Sequence, residues 1–283
     1  FTSVMDNIGK VANQGLDFMV NTVNIDTKDF GWSSTLNFNY NKNEIKKLGE
    51  NDEDILTGPW FISGNLVILR KGESLGSFWG YKREGIWGED EAEEAKAAGA
   101  GVGQPKRSKD REILGKGLPD VTGSFINNFR YKNFDLTVDL QFVLGVDVYQ
   151  QFLHSTEDRF GIANALSSVL SEGWTPANTN TMIPALYSQN SQPDSHWVAN
   201  GSYLRANLIQ LGYTFEPSVL KALHLGSLRA YFSVNNAFCI TSKDFKGYDP
   251  EGTSWNTDQW GQNIMFFQYP KPRTYTLGVN VSF

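Results

Sequence analysis

Apolar and polar residues alternate along several stretches of this chain, and the final stretch shows the pattern most cleanly. In RTYTLGVNVSF, Tyr275, Leu277, Val279, Val281 and Phe283 project to one side of an extended backbone, and Thr274, Thr276, Gly278, Asn280 and Ser282 to the other. The two-faced strand recurs from Phe134, where Leu136, Val138, Leu140, Phe142 and Leu144 continue an apolar side against Asp135, Thr137, Asp139 and Gln141. It recurs from Leu228, where Ala230, Phe232, Val234, Phe238 and Ile240 oppose Arg229, Ser233, Asn235 and Thr241. Trp32, Leu36, Phe38 and Tyr40 likewise face away from Ser33, Thr35, Asn37, Asn39 and Asn41. Further strands are predicted over 15–25, 74–87, 121–131 and 203–216, and NLVILR at 65–70 brings the total to nine.

The connections discriminate between folds that alternation alone leaves open. Short joints at 27–31, 132–133 and 217–226 are separated by long irregular stretches at 49–63, 88–120, 149–201 and 242–272. Loops beyond ~12–15 residues are uncommon inside compact domains, whereas outer-membrane barrels have short periplasmic turns and long extracellular loops. The rhythm therefore predicts an all-β, antiparallel transmembrane barrel rather than a soluble sandwich, whose strands also alternate. In this scheme 65–70 descends, turns at 71–73 and rejoins the strand from Ser74. Nine is odd and single-chain bacterial barrels are even-stranded, so further strands are expected before Phe1. Two loop segments, 89–100 and 155–172, have helix-forming composition or helical spacing.

Aromatic residues fall into two groups. Phe30, Trp32, Tyr131, Phe134, Phe215 and Phe283 lie at the short-joint ends of strands, where amphipathic rings form a membrane-interface girdle. Trp60, Trp174, Trp197, Trp255 and Trp260, with Tyr187 and Phe266, lie in the long loops. Rings there either stack on a sugar or a partner protein or pack the loops against one another, and the five tryptophans are the candidate substrate or lid contacts.

Composition narrows the function. Aromatic residues make up 13% of the 283 residues, beside 27 glycines, and no apolar run is long enough for a membrane helix. That leaves a barrel open, because a strand crosses in ~9–11 residues and its alternation averages to an unremarkable mean hydropathy, here -0.37. A formal charge of -6 and a pI near 5.2 argue against a nucleic-acid partner. The basic run Lys106, Arg107, Lys109 and Arg111 is interrupted by Asp110 and followed by Glu112, and reads as a solvated loop. The acidic run 51–54 lacks the ligand spacing and central glycine of an EF-hand and reads the same way. Cys239 reads as a strand filler, and His154, His196 and His224 as surface or loop residues too scattered for a metal motif. There is no phosphate-cradling loop, nucleophile elbow or zincin spacing, so the sequence points to no enzyme, metal or cofactor.

Several pieces of the chain, in order, resemble the SusC/RagA-type TonB-dependent transporters: NIGKVANQGLDFMV, GESLGSFWGYKREGIW, LPDVTGSFINNFRYKNFDLTVDLQFVLGVDVYQ, WTPANTNTMIPAL, NGSYLRANLIQLGYTF, VNNAFCITSKDFKGYDPE and YPKPRTYTLGVNVSF. The resemblance extends over nearly the whole chain. It implies that residues 1–283 are the C-terminal part of a 22-strand barrel in the bacterial outer membrane, whose plug domain and first strands lie outside this sequence. It also implies a SusD-like surface lipoprotein as lid, energy coupling to TonB through the missing N-terminal region, and import of a glycan or peptide. A passive porin, a soluble carbohydrate-binding β protein and an adhesin are the alternatives.

Overall fold

The computed structural model describes residues 9–57, 65–158, 163–186, 188, 191–252 and 261–283. Seven of its strands form one antiparallel sheet in chain order: β1 (Gly9–Asp26), β2 (Phe30–Leu48), β3 (Val121–Tyr131), β4 (Phe134–Leu144), β5 (Tyr203–Thr214), β6 (Ser227–Thr241) and β7 (Thr274–Ser282). Their register lines up like with like. One row runs Ile25, Trp32, Phe129, Leu136, Leu211, Phe232 and Leu277 across all seven strands. The adjacent row on the other face carries Ser33, Asn128, Thr137, Gln210, Ser233 and Thr276 from β2 to β7. One-residue slippage would exchange the two faces of a strand, so the pattern fixes the parity of each pairing.

Two bulges keep that parity where simple alternation breaks. On β1 the apolar positions Leu16, Phe18 and Val20 are even-numbered and Ile25 is odd, and the register shifts between Val23 and Ile25. On β5 Leu204 and Ala206 give way to Ile209, Leu211 and Tyr213 across a shift between Ala206 and Leu208. An inserted residue rotates the following side chains back to the apolar face.

At one end the strands are joined by short turns. Thr27 donates its amide to the Phe30 carbonyl at 2.8 Å and its hydroxyl accepts the Phe30 amide at 3.0 Å. Lys132 takes the left-handed conformation (φ 51°) in the two-residue β3–β4 hairpin. The β5–β6 joint holds helix Pro217–Leu223, closed by a left-handed His224.

At the other end the long loops build a cap. A four-stranded sheet orders Ile55–Thr57, Val67–Leu69, Ser77–Ile86 and Pro105–Lys116, and a three-stranded sheet orders Val198–Asn200, Asp147–Gln150 and Ile264–Met265. Among the described residues this corrects the count of wall strands from nine to seven. Val67–Leu69 is too short to cross a bilayer and is buried throughout, while Ser77–Ile86 pairs with 105–116, which the sequence reading left irregular. Both leave the wall together, so the alternation of turn ends and loop ends is unchanged. Of the two helical expectations, 89–100 holds a 3-10 turn and the short helix Ala92–Ala97. The stretch 155–172 is not one helix, with a π-type turn at His154–Asp158 and a helix confined to Ser167–Ser171.

Candidate functional site: the cap and the polar wall beneath it

Residues from all three long connections share one apolar core in the cap. Leu66, Val67 and Phe78 come from the first, Val148, Tyr149, Phe152, Leu153, Trp197 and Ala199 from the second, and Ile264 and Met265 from the third. No single loop could bury such a surface alone, so the three stabilise one another. Where the first loop leaves the wall, Ile45 and Leu48 of β2 pack on Leu69, and Gly72 donates to the Ile45 carbonyl at 2.8 Å.

An ionic cluster lies within the same body. The Arg83 guanidinium is buried between Asp158 and Asp194, donating to Asp194 at 2.7 and 2.9 Å, and Arg107 reaches Asp194 at 2.7 Å. Beside it, Glu157 lies 2.9 Å from Lys246 and 3.4 Å from His196. Burial opposes ionisation of Asp194, but Arg83 and then Arg107 outweigh it and hold the carboxyl below its ordinary value. Burial likewise opposes ionisation of Glu157, and His196 followed by Lys246 hold that carboxyl low. Burial dominates at Asp158, whose carboxyl is raised despite Arg83. The cluster joins the first loop (Arg83, Arg107) to the second (Glu157, Asp158, Asp194, His196) and the second to the third (Lys246). Removing one member of such a set strands a buried charge, which is why the loops stay together.

Several of these residues were misplaced by sequence reasoning. Arg107 is a cluster member on a strand rather than part of a solvated loop; beside it, Lys106 lies over Trp87 at 4.6 Å and Arg111 over Tyr81 at 5.0 Å. His154 is fully buried rather than a surface residue. The legible signal was Asp194, which caps the following turn by accepting the His196 amide at 3.0 Å.

The loop tryptophans divide. Trp197 is 0% and Trp174 7% exposed, the first in the cap core and the second packed over Gly103, so their rings serve the packing alternative. Phe266 is partly buried against the same core. Trp60, Trp255 and Trp260, with Tyr187, lie outside the described residues. Next to Trp174 a cleft of about 810 Å³ opens between Glu84, Glu91, Glu172, Asn178, Asn180 and Leu170.

A third loop anchor rises from the wall. Arg205 on β5 donates to Asn236 at 2.6 Å, at the β6 irregularity where Asn236 is left-handed, and to Asp249 at 2.7 Å. Below it the polar face is a ladder of side-chain hydrogen bonds, including Thr35 to Asn21 at 2.7 Å, Asn37 to Ser124 at 2.9 Å and Asn43 to Asn13 at 2.8 Å. On the opposite face, Phe30, Tyr131, Phe134 and Tyr213 stand side by side in one row at the turn end. Trp32 stacks on Phe129 at 5.7 Å, Phe215 meets Tyr213 edge-on at 5.1 Å, and Phe283 follows β7 fully exposed.

A wall of antiparallel strands, apolar on one face and polar on the other, with short turns at one end and long loops folded into a cap at the other, has the features of an outer-membrane β-barrel. No model of a known protein family matches the chain. It is similar to TonB-dependent receptor P3 of Formosa agariphila, 33% identical over the whole chain and 30% of that protein. It is also similar to the TonB-dependent receptor SusC of Bacteroides thetaiotaomicron, 31% identical over 98% of the chain and 27% of SusC. Among solved structures, the RagAB peptide transporter superposes with a TM-score of 0.76 at 23% identity, over 100% of this chain and 30% of that one. Over its whole length the chain is thus similar to TonB-dependent receptors of the SusC type, and it spans about 30% of the length of the relatives it matches.

Proposed function

We propose that the protein to which this wall and cap belong imports a nutrient, a glycan or a peptide, across the outer membrane. In this reading a SusD-like lipoprotein closes the loop end and TonB supplies energy through a plug outside this sequence. The observation that carries the reading is the end-to-end likeness to SusC-type receptors of a wall whose polar face would line a lumen and whose loops converge on one cap. The apolar face meets lipid, and Phe30, Trp32, Tyr131, Phe134, Phe215 and Phe283 form its periplasmic girdle. The loop end is extracellular. With Trp174 and Trp197 buried, contact with lid or substrate falls to cleft residues such as Leu170 and to the segment holding Trp255 and Trp260.

Deleting the gene should abolish growth on one member of a panel of glycans and peptides, and deleting tonB should have the same effect. Growth that needs the gene but not TonB would indicate a passive porin. A lipoprotein should co-purify at equal stoichiometry in mild detergent, and its consistent absence would remove the lid. An impermeant maleimide should label Thr179→Cys on intact cells and leave Asn133→Cys unlabelled; the reverse would invert the topology.

A further inference from the structure

The alternation that fixes parity leaves one error uncorrected on β7. A slip of two residues against β6 keeps every side chain on its proper face, because Tyr275, Leu277, Val279 and Val281 are all apolar and Thr274, Thr276, Asn280 and Ser282 all polar. Within the described sheet β7 pairs with β6, so the register between these two strands is what the β6 side chains can set.

The polar face carries a feature that is not periodic. Gly278 lies directly opposite Tyr231, which on its other side faces Gly212 of β5. A Cβ added to Gly278 would sit 2.5 Å from both Cε1 and Oη of Tyr231, and closer still to Cζ, so the ring lies over the bare glycine backbone. The ring is held there from behind. Arg229, with its guanidinium 5.4 Å from the Tyr231 ring, crosses Gly212 and donates from Nε to Asp135 on β4 at 3.0 Å. A chain of side chains thus spans β4 to β7 over two glycines. Glycine inside a strand is otherwise a cost, and such positions mark close approach of another group.

We propose that Tyr231 is the register key of β7: its ring fits only the position without a Cβ. A two-residue slip would place Thr276 or Asn280 beneath the ring, and neither leaves room for it. Tyr231 is a positioning residue for the wall, and the inference is independent of what the protein transports.

The test uses the full-length protein in outer membranes, in a Cys239→Ser background. Ser233 and Thr276 are native partners, so Ser233→Cys with Thr276→Cys should cross-link. Ser233→Cys with Thr274→Cys, and Asn235→Cys with Thr276→Cys, report slips in the two directions, since diagonal partners lie too far apart in the native register. Tyr231→Ala should bring out one or both slipped cross-links at the expense of the native one, while Tyr231→Phe should keep the native cross-link alone. The native cross-link alone in Tyr231→Ala would overturn the proposal. If Tyr231→Ala leaves too little barrel to read, Gly278→Ala asks the same question from β7, and an unchanged native register there also overturns it.

Discussion

The wall and the cap are built from one chain on opposite principles. Nearly all the fully buried apolar side chains lie in the cap, among them Leu66, Phe78, Tyr149, Leu153, Trp197 and Ile264, whereas Leu277 and Val279 of the wall stand open. Among the described residues the wall's apolar burial is confined largely to where β2 and β5 meet the loops, as at Ile45, Leu48 and Ala206, while its polar face bonds to itself. Backbone pairing therefore carries the wall, while burial and charge pairing carry the cap. The two should fail separately.

The largest effect is expected in the cap. Asp194→Ala leaves Arg83 and Arg107 buried without their shared carboxylate, at a cost of ~3–5 kcal/mol. Hydrogen exchange should rise across 147–150, 198–200 and 264–265 together, with the wall still resisting SDS until heated. Loss of the folded wall in the same variant would show that the two regions are one cooperative unit.

A smaller effect separates the two faces of the wall. Leu140→Arg puts a charge against lipid at ~2–4 kcal/mol, whereas Gln141→Arg faces the lumen and gives up one hydrogen bond to Tyr203. Equal loss of heat-modifiable barrel in both would reverse the assignment of faces.

Acid should act on the cap before the wall. Glu157 has a depressed carboxyl, so its stabilisation is complete above the ordinary glutamate range and is lost as pH falls through the lower folded value. Asp194 has the same sign, and Asp158, raised chiefly by burial, offsets part of the loss. Tryptophan fluorescence of the cap should change on acidification, and Glu157→Gln should blunt that change after costing ~1.5–3 kcal/mol at neutral pH. A pH response unaltered by Glu157→Gln would place its source elsewhere.

The mildest change tests the wall's outer face. The Asn127 carbonyl accepts from the Trp32 indole at 3.0 Å and from the Ser34 hydroxyl at 2.8 Å, forming a polar knot within the apolar surface. Asn127→Ala should destabilise the barrel by about 1 kcal/mol for each lost bond and so lower the temperature at which SDS unfolds it. No shift would mean that lipid headgroups or water satisfy Trp32 and Ser34 equally well.

The sequence by itself determined the wall: its antiparallel strands, which residues share the apolar face, where the turn end lies and which aromatics stand there. Period-two alternation is a local property, and each strand of the wall meets its two solvents independently of its neighbours. The cap was decided only by tertiary structure. NLVILR holds an unbroken apolar run, the local mark of a strand buried on both faces rather than of one with a polar side, but only the partners that bury Val67, with the acids that surround Arg83, show where it and the strand from Ser77 are held. Those partners come from three distant stretches, Phe78 with Tyr149 and Ile264, Arg83 with Asp194, Glu157 with Lys246. No periodicity records such pairings, because burial and charge neutralisation depend on what arrives from elsewhere in the chain.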